Sequence, residues 1–523
     1  MMTILLFLLH LVTAAYGLHS DTSIFHGRRP RTPLSTRDLE VTGSSFPAMV
    51  RALEVMQSEF WDPTTSTWPT GIDWTCAVLN THISATLSTI AAYQASTYQT
   101  EINTYFSQVA AFYNGENATS LTTQKFDDMQ WVIFEWLEAI KFISLYSSID
   151  SSFDGKKNTP EFAHRARVFW DLASQGYNTT LCGGGMLWTD QLAPYKNAIT
   201  NQLYVASSIS MYLYFPGDSD PDPSPVPGGP YNSSQALPPI KAHDERYLNA
   251  AMKEYNWLST SNMTNSQGLY VDGFHITGWT NSTDIGTGKC DARDESLYTY
   301  NQGVLLSGLR GLYDATGQQE YLIDGYNLIG NVINATGWPR SNGSWAGLGS
   351  DGILQDSCDV DGSCSQDVQA FKGIFFHHLT LFCLPLSTKA QNQSIIYTST
   401  AVQTQAHQGN CNGYEPWILH NAQGAYATRN ASGVYGEWWD VPQGMPSGWK
   451  PQPAGASDYR NKGIPQNTFW RLASNPPVSS DGTDPVANTP MPDPNERGRG
   501  RTVETQSDGL GVMRSLVDAE EAD

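Results

Sequence analysis

The chain has 523 residues and a net charge of −21, a length that fits one large domain or a few ordinary ones. Hydrophobic residues make up 40% and charged residues 15%, so the bulk buries a core and is not disordered. The acidic balance argues against nucleic acid and anionic membrane surfaces as partners, because binding phosphates takes basic patches.

In chain order, "MMTILLFLLHLVTAAYG" comes first. Its apolar run, Ile4 to Val12, is followed by the small residues Ala15 and Gly17, and residues 1–17 read as a secretory signal. The run is short for a bilayer and no other segment is apolar enough, so no membrane span is expected. Residues 18–45 are polar and basic and read as a flexible lead. Helical periodicity then dominates, with candidate helices near 46–61, 76–95, 100–113, 126–147, 160–175, 196–214, 244–260, 298–316, 318–335, 367–384, 388–408 and 414–428. Convincing β-hairpins are missing. This pattern predicts an all-α domain over 46–430, an (α/α)6 barrel or toroid of six helical hairpins. A solenoid of helix pairs has the same helix count, but no sequence period of that kind is present. The Pro/Asp-rich stretch 216–239, "PGDSDPDPSPVPGGPYNSSQALPP", reads as an exposed loop insertion. Residues 431–523, rich in Pro and Gly, read as a largely irregular tail.

Sequons at Asn117, Asn178, Asn232, Asn262, Asn281, Asn334, Asn342, Asn392 and Asn430 fit an exported surface. Seven cysteines suit one to three local disulfides in an oxidising compartment, with one thiol left over. Cys358 and Cys364 in "CDVDGSC" make the most plausible pair. No Cys/His spacing suggests zinc, and neither metal nor cofactor is expected.

"KFDDMQW" (125–131) sets Asp127 and Asp128 at the mouth of the apolar run "WVIFEWLEAIKFI". The plain reading is a helix N-terminus, where aspartate caps the first turn and complements the dipole. The alternative is a glycosidase carboxylate pair, one ionised nucleophile beside one protonated acid, with mutual repulsion raising one pKa. Three further stretches favour a shared cleft. "CGGGMLW" (182–188) is a glycine-rich turn ending in Trp188. "YKNAITNQLYVASSISMYLY" (195–214) and "YTYNQGVLLSGLRGLYDATG" (298–317) each open on polar groups and continue as an apolar helix. Asn or Gln at one helix start is a cap. Helix mouths pointing one way around a toroid would gather such groups at one end.

"FDDMQWVIFEWLEAIKF", "CGGGMLW", "YKNAITNQLYVASSISMYL", "YTYNQGVLLSGLRGLYDATG" and "CSQDVQAFKGIFFHHLTLF" resemble the successive blocks of glycoside hydrolase family 76, in order, over about residues 46–430. That family comprises endo-α-1,6-mannanases and fungal cell-wall mannoprotein transglycosidases. The resemblance implies an (α/α)6 barrel and a retaining mechanism without metal, with Asp127 as nucleophile and Asp128 as acid/base. It suggests that Trp188, Asn197, Tyr300, Asn301 and Gln302 line mannose subsites. Trp74 and Trp131 are further candidates, and Trp131 is by position equally a core residue. His377 and His378 in "FFHHLT" read first as packing residues. Wall-linked fungal members usually end in a lipid-anchor signal, and the last residues here lack the apolar tail it needs. The expectation is therefore a secreted hydrolase acting on α-1,6-mannan or mannoprotein glycan. The alternatives are a transglycosidase using wall glucan as acceptor, and, in another class, a non-catalytic mannan-binding protein.

Overall fold

The computed structural model describes residues 45–227, 236–340, 343–360, 362–388, 397–441, 493–496 and 499–521. The expected signal segment 1–17, nearly all of the 18–45 lead and the sequons at Asn232, Asn342 and Asn392 lie outside the described residues.

Fourteen helices are described: α1 (Ser45–Phe60), α2 (Asp73–Gln94), α3 (Gln99–Gly115), the single turn α4 (Ala118–Leu121), α5 (Phe126–Ile149), α6 (Thr159–Ala173), α7 (Ala198–Tyr214), α8 (Glu245–Thr260), α9 (Tyr300–Thr316), α10 (Glu320–Ala335), α11 (Phe371–Cys383), α12 (Ala401–Asn412), α13 (Glu415–Ala427) and α14 (Val503–Glu521). Six of them close a ring by neighbour contacts: α2 on α5, α5 on α7, α7 on α9, α9 on α11, α11 on α14 and α14 back on α2. Outer helices back the ring: α3 packs on α2, α6 on α5, α8 on α7, α10 on α9, and both α1 and α13 on α14. The result is an (α/α)6 barrel.

A helix inside such a ring has neighbours on every side, so the amphipathic stripe of a surface helix is not required. Accordingly α2 is buried along most of its length yet carries Asn80, Thr81, His82, Ser84 and Thr86, and α7 carries Asn201, Gln202, Ser207 and Ser208. Some of these polar groups bond to neighbouring helices. The His82 Nδ1 lies 2.8 Å from Ser507 Oγ, and Trp170 donates to Ser208 at 2.9 Å. Close approach is made with glycine: a Cβ on Gly303 of α9 would lie 2.5 Å from the Phe375 Cα of α11.

Three expectations need correction. The segment 431–523 is not wholly irregular: its α14 is the ring's closing wall, buried from Val503 to Asp518. Composition hid it, because Gly509 and Gly511 weaken helix propensity. Both are needed for packing, since a Cβ would lie 2.2 Å from Tyr435 and 2.9 Å from the Gly373 carbonyl oxygen. The helix expected over 388–408 is described only as Ala401–Asn412, started by Thr400, whose hydroxyl accepts from the Gln403 N–H. The start of the 196–214 helix moves to Ala198, because Tyr195–Asn197 is a strand. It pairs antiparallel with Gly273–His275, which pairs with Ala292–Asp294. Lys196 faces Phe274 in that register, and Phe274 faces Arg293.

Cys182–Cys290, Cys358–Cys364 and Cys383–Cys411 are disulfide-bonded, and Cys76 is a buried free thiol. The first bridge spans 108 residues, so it is not local. Asn117, Asn262, Asn281 and Asn334 are exposed, and Asn178 and Asn430 are half-buried. His377 and His378 are packing residues: His377 Nδ1 accepts from Arg514 at 3.0 Å and His378 Nδ1 lies 2.7 Å from Ser307 Oγ.

Burial, then the Arg514 charge, lowers His82 from 6.5 to about 3, so the fold holds it neutral. The unfolded chain takes up this proton near pH 6.5 and the folded chain does not until about 3. Stability from this group is therefore complete above about 6.5 and is lost as pH falls toward 3. In His82→Gln, the drop in Tm from about pH 7 to about pH 5 is expected to be smaller than in the wild type.

Candidate active site

The site lies where the ring helices begin. α5 starts after Lys125, whose extended backbone turns the chain inward. The Asp128 carboxylate, three residues on, accepts the Lys125 N–H at 3.1 Å, and the Phe126 N–H donates to the Trp188 carbonyl at 3.0 Å. The helix mouth is thus tied to the loop that ends the glycine-rich segment. Asp127 and Asp128 occupy the second and third helical positions, where the first-turn N–H groups have no helical partner and favour negative charge. Both side chains line one cleft of about 310 Å³, shared with Trp74, Trp131, Trp188, Tyr195, Asn197, Asp272, Tyr298, Tyr300, Ser365, Asp367, Val368 and Phe371. Larger cavities occur elsewhere in the molecule, but they lack this pair.

Asp127 is 8% exposed and Asp128 2%. Asp127 Oδ1 accepts the Asp128 N–H at 3.2 Å and its Oδ2 accepts Trp188 Nε1–H at 3.2 Å. Donors of this kind favour the ionised carboxylate. Lys125 Nζ sits over the Trp188 ring, 5.4 Å from its centroid.

Aromatic walls flank the acids. Trp74 and Trp131 stack with centroids 5.6 Å apart, and Trp74 Nε1 donates to Asp367 at 2.7 Å. Tyr300 stacks on Phe371 at 3.6 Å. Burial, followed by the negative charges of Asp272 and Asp127, pushes the Tyr300 hydroxyl well up, so it remains a protonated donor. Asn197 Oδ1 is buried without a protein partner, an acceptor available to a hydroxyl in the cleft.

The structure brings Asp127, Asp128, Trp74, Trp131, Trp188, Asn197 and Tyr300 to one cleft. It does not bring Gln302 there. The Gln302 side chain accepts the Tyr270 N–H at 2.8 Å and donates to the Tyr270 and Tyr298 carbonyls, so it staples the 270–272 loop. Asn301 is also fully buried behind the wall and donates to Asp272 Oδ1 at 3.1 Å. Gln302 acts on the backbone and Asn301 on Asp272, which corrects their placement as subsite residues.

Asp272 is the acid that motif reading missed. It follows Val271 in "GLYVDGF", where nothing marks it as special. The Gly273–Asn197 pairing carries it to the cleft, and there Tyr195 Oη–H donates to Asp272 Oδ2. Burial raises its carboxyl, against the Tyr195 and Asn301 hydrogen bonds, which lower it. Asp367 lies in "CSQDVQ" and is legible only as part of that motif.

Residues 228–438 match the model of "Glycosyl hydrolase family 76". The matched stretch holds Asp272, Tyr300 and Phe371, whereas Asp127 and Asp128 lie upstream of it. Among curated relatives, Mannan endo-1,6-alpha-mannosidase DCW1 of Saccharomyces cerevisiae is 23% identical over 49% of this chain and 48% of its own length. The protein of that name from Candida albicans is 21% identical over 65% and 68%. The chain spans about half the length of most curated relatives it matches. Among solved structures, Dfg5 from Chaetomium thermophilum, in complex with glucosamine, aligns with TM-score 0.54 at 13% identity, covering 92% of this chain and 91% of its own. An inactive variant of the α-1,6-mannanase GH76A of Salegentibacter sp. HEL1_6, with two consecutive aspartates replaced and α-1,6-mannotriose bound, aligns at TM-score 0.51 and 16% identity. It covers 91% of this chain and 99% of its own. The chain is similar to glycosyl hydrolase family 76 over residues 228–438, and its fold is the (α/α)6 barrel.

Proposed function

We propose that this chain is a retaining glycosidase that cleaves α-1,6-mannosidic linkages in mannan or mannoprotein glycans, of the mannan endo-1,6-α-mannosidase type. The observation that carries the reading is the adjacent pair Asp127–Asp128, buried in an aromatic cleft at the barrel's mouth. Asp127 attacks the anomeric carbon while Asp128 gives its proton to the departing glycosidic oxygen. Asp128 then takes a proton from water, whose oxygen displaces Asp127 from the sugar. The roles follow from surroundings. Each acid accepts a backbone N–H at the helix mouth; Asp127 accepts the Trp188 indole N–H as well and suits the ionised nucleophile, while the deeper burial of Asp128 favours a group that carries a proton. The indole and phenol faces suit pyranose rings, and Asn197 Oδ1 suits a hydroxyl. Asp272 and Tyr195 form a further polar contact lining the same cleft.

No helix among the described residues is long and apolar enough to cross a membrane. Three disulfides suit an oxidising compartment, which supports secretion or a place at the cell wall. The test is to incubate the protein with linear α-1,6-mannan and size the products. Shorter oligosaccharides with new reducing ends support the hydrolase. Product joined to an added glucan acceptor, with few new reducing ends, would move the reading to transglycosylation. Binding of mannan with no product would leave a mannan-binding protein.

A further inference from the structure

Lys196 faces away from the cleft's sugar-sized space and is 1% exposed. Its ammonium is enclosed by backbone carbonyls of one loop: Asn178 O at 2.8 Å, Leu181 O at 2.9 Å, Gly185 O at 2.9 Å, and Gly184 O. An ammonium has three N–H donors and no acceptor, so four convergent carbonyls are the surroundings a buried cation needs. The carbonyls converge because the backbone takes left-handed values at Cys182, Gly183 and Gly185, with φ of 58°, 69° and 86°. From outside, α8 closes the loop. Trp257 Nε1 donates to Cys182 O at 3.1 Å, and its ring lies where a Cβ on Gly185 would be, 2.7 Å away. The Cys182–Cys290 bridge fixes a third side.

The downstream end of this loop is Trp188, whose Nε1–H meets Asp127 and whose carbonyl accepts the first N–H of α5. Lys196 adjoins Tyr195, whose carbonyl accepts the Trp188 N–H at 2.8 Å. One short strand therefore holds both the loop's cation and the partner of its last residue.

We infer that Lys196 is a positioning residue: its caged ammonium orders the glycine-rich loop 178–188 and thereby holds Trp188 against the Asp127 carboxylate. This rests on the proposed reading of Asp127 as nucleophile. Removing the ammonium leaves four carbonyls without their donor, and the loop relaxes to solvate them. Trp188 Nε1 then no longer supports the Asp127 charge, and the acid limb of the kcat/KM profile moves to higher pH.

The experiment compares wild type, Lys196→Met, Trp188→Phe and the double variant. Amide hydrogen exchange over 178–188 is read alongside kcat/KM and its pH profile on α-1,6-mannan. In K196M, exchange is expected to speed up at least about tenfold within 178–188 and little elsewhere. Its kcat/KM is expected to fall about a hundredfold, the cost of a misplaced catalytic group. The double variant is expected to fall no further than W188F alone, and both single variants to shift the acid limb upward. Unchanged loop protection in K196M would overturn the inference, and so would additive losses in the double variant. If K196M does not fold, Lys196→Arg provides the same readouts, since a planar guanidinium does not fit the carbonyl cage. Absence of any wild-type turnover would remove the glycosidase reading. The exchange data would still decide whether Lys196 orders the loop.

Discussion

Asp127→Asn is expected to lower turnover of α-1,6-mannan about 10⁴- to 10⁶-fold while leaving the barrel folded, the scale seen when a nucleophile is removed. Asparagine keeps one acceptor oxygen, enough for the Asp128 N–H or for Trp188 Nε1–H but not for both, and the helix mouth stays tied to the loop by the Phe126 N–H and the Trp188 carbonyl. The charge of the proposed nucleophile does not persist. The change also leaves the core untouched, because Asp127 stands in the cleft wall and not in the ring's packing. Asp128→Asn is expected to behave differently. With an activated aryl α-mannoside the departing group needs no proton, so the first step survives and a glycosyl-enzyme accumulates. Exogenous azide then restores turnover in Asp128→Ala by attacking that intermediate, giving a mannosyl azide of retained α configuration. Measuring kcat on mannan and on the aryl glycoside for both variants checks the assignment. Equal losses on both substrates in both variants would mean that the two acids do not hold separate roles.

The second large effect lies beneath the cleft and concerns stability. Lys372 in the first turn of α11 pairs with Asp359 at 2.8 Å, and both side chains are wholly buried. Nearby, Asp356 accepts the Thr299 N–H at 2.9 Å and hydroxyl at 2.7 Å, and Asp508 of α14 accepts the Gly373 N–H at 2.6 Å. Burial alone would lower the Lys372 ammonium, but Asp359, Asp508 and Asp356 together hold it well above its usual value. This cluster joins the beginnings of α9 and α11 to α14 and to the loop closed by Cys358–Cys364. Lys372→Met keeps the stem's packing and removes the cation, leaving three buried carboxyl groups facing one another. The expected cost is about 3–5 kcal/mol, the range for breaking a buried pair from one side. That is a large part of a typical folding free energy of about 5–15 kcal/mol. The urea unfolding midpoint reads it, with an unchanged slope if the native compactness is kept. A midpoint within error of wild type would mean that the three acids simply take up protons without strain.

Much of this molecule was readable before its structure. The ring helices could be found because apolar residues dominate them, so runs such as "WVIFEWLEAIKFI", interrupted only by Glu135, Glu138 and Lys141, stand out. Their order around the ring follows from alternation of inner and outer helices. α14 escaped because the residues that make it fit, Gly509 and Gly511, are those that weaken a helix locally, and tertiary contact overrides that preference. In the site, Asp127 and Asp128 declared themselves by adjacency, and Trp188 by the glycine turn before it. Asp272 did not, because long-range strand pairing brings the 273–275 segment to 195–197, and no local pattern records that pairing. Gln302 misled for the converse reason. An amide at a helix start looks the same whether it faces a ligand or, as here, the carbonyls of its own wall. The Cys182–Cys290 bridge was equally hidden by its long span.

The central claim is that neighbouring carboxylates perform a double displacement on an α-mannoside. Proton NMR of the first product released from linear α-1,6-mannan tests it most directly. A double displacement delivers the α anomer first, with the β anomer growing in later by mutarotation. A first product that is β would require a single displacement by water and would contradict the roles given to Asp127 and Asp128.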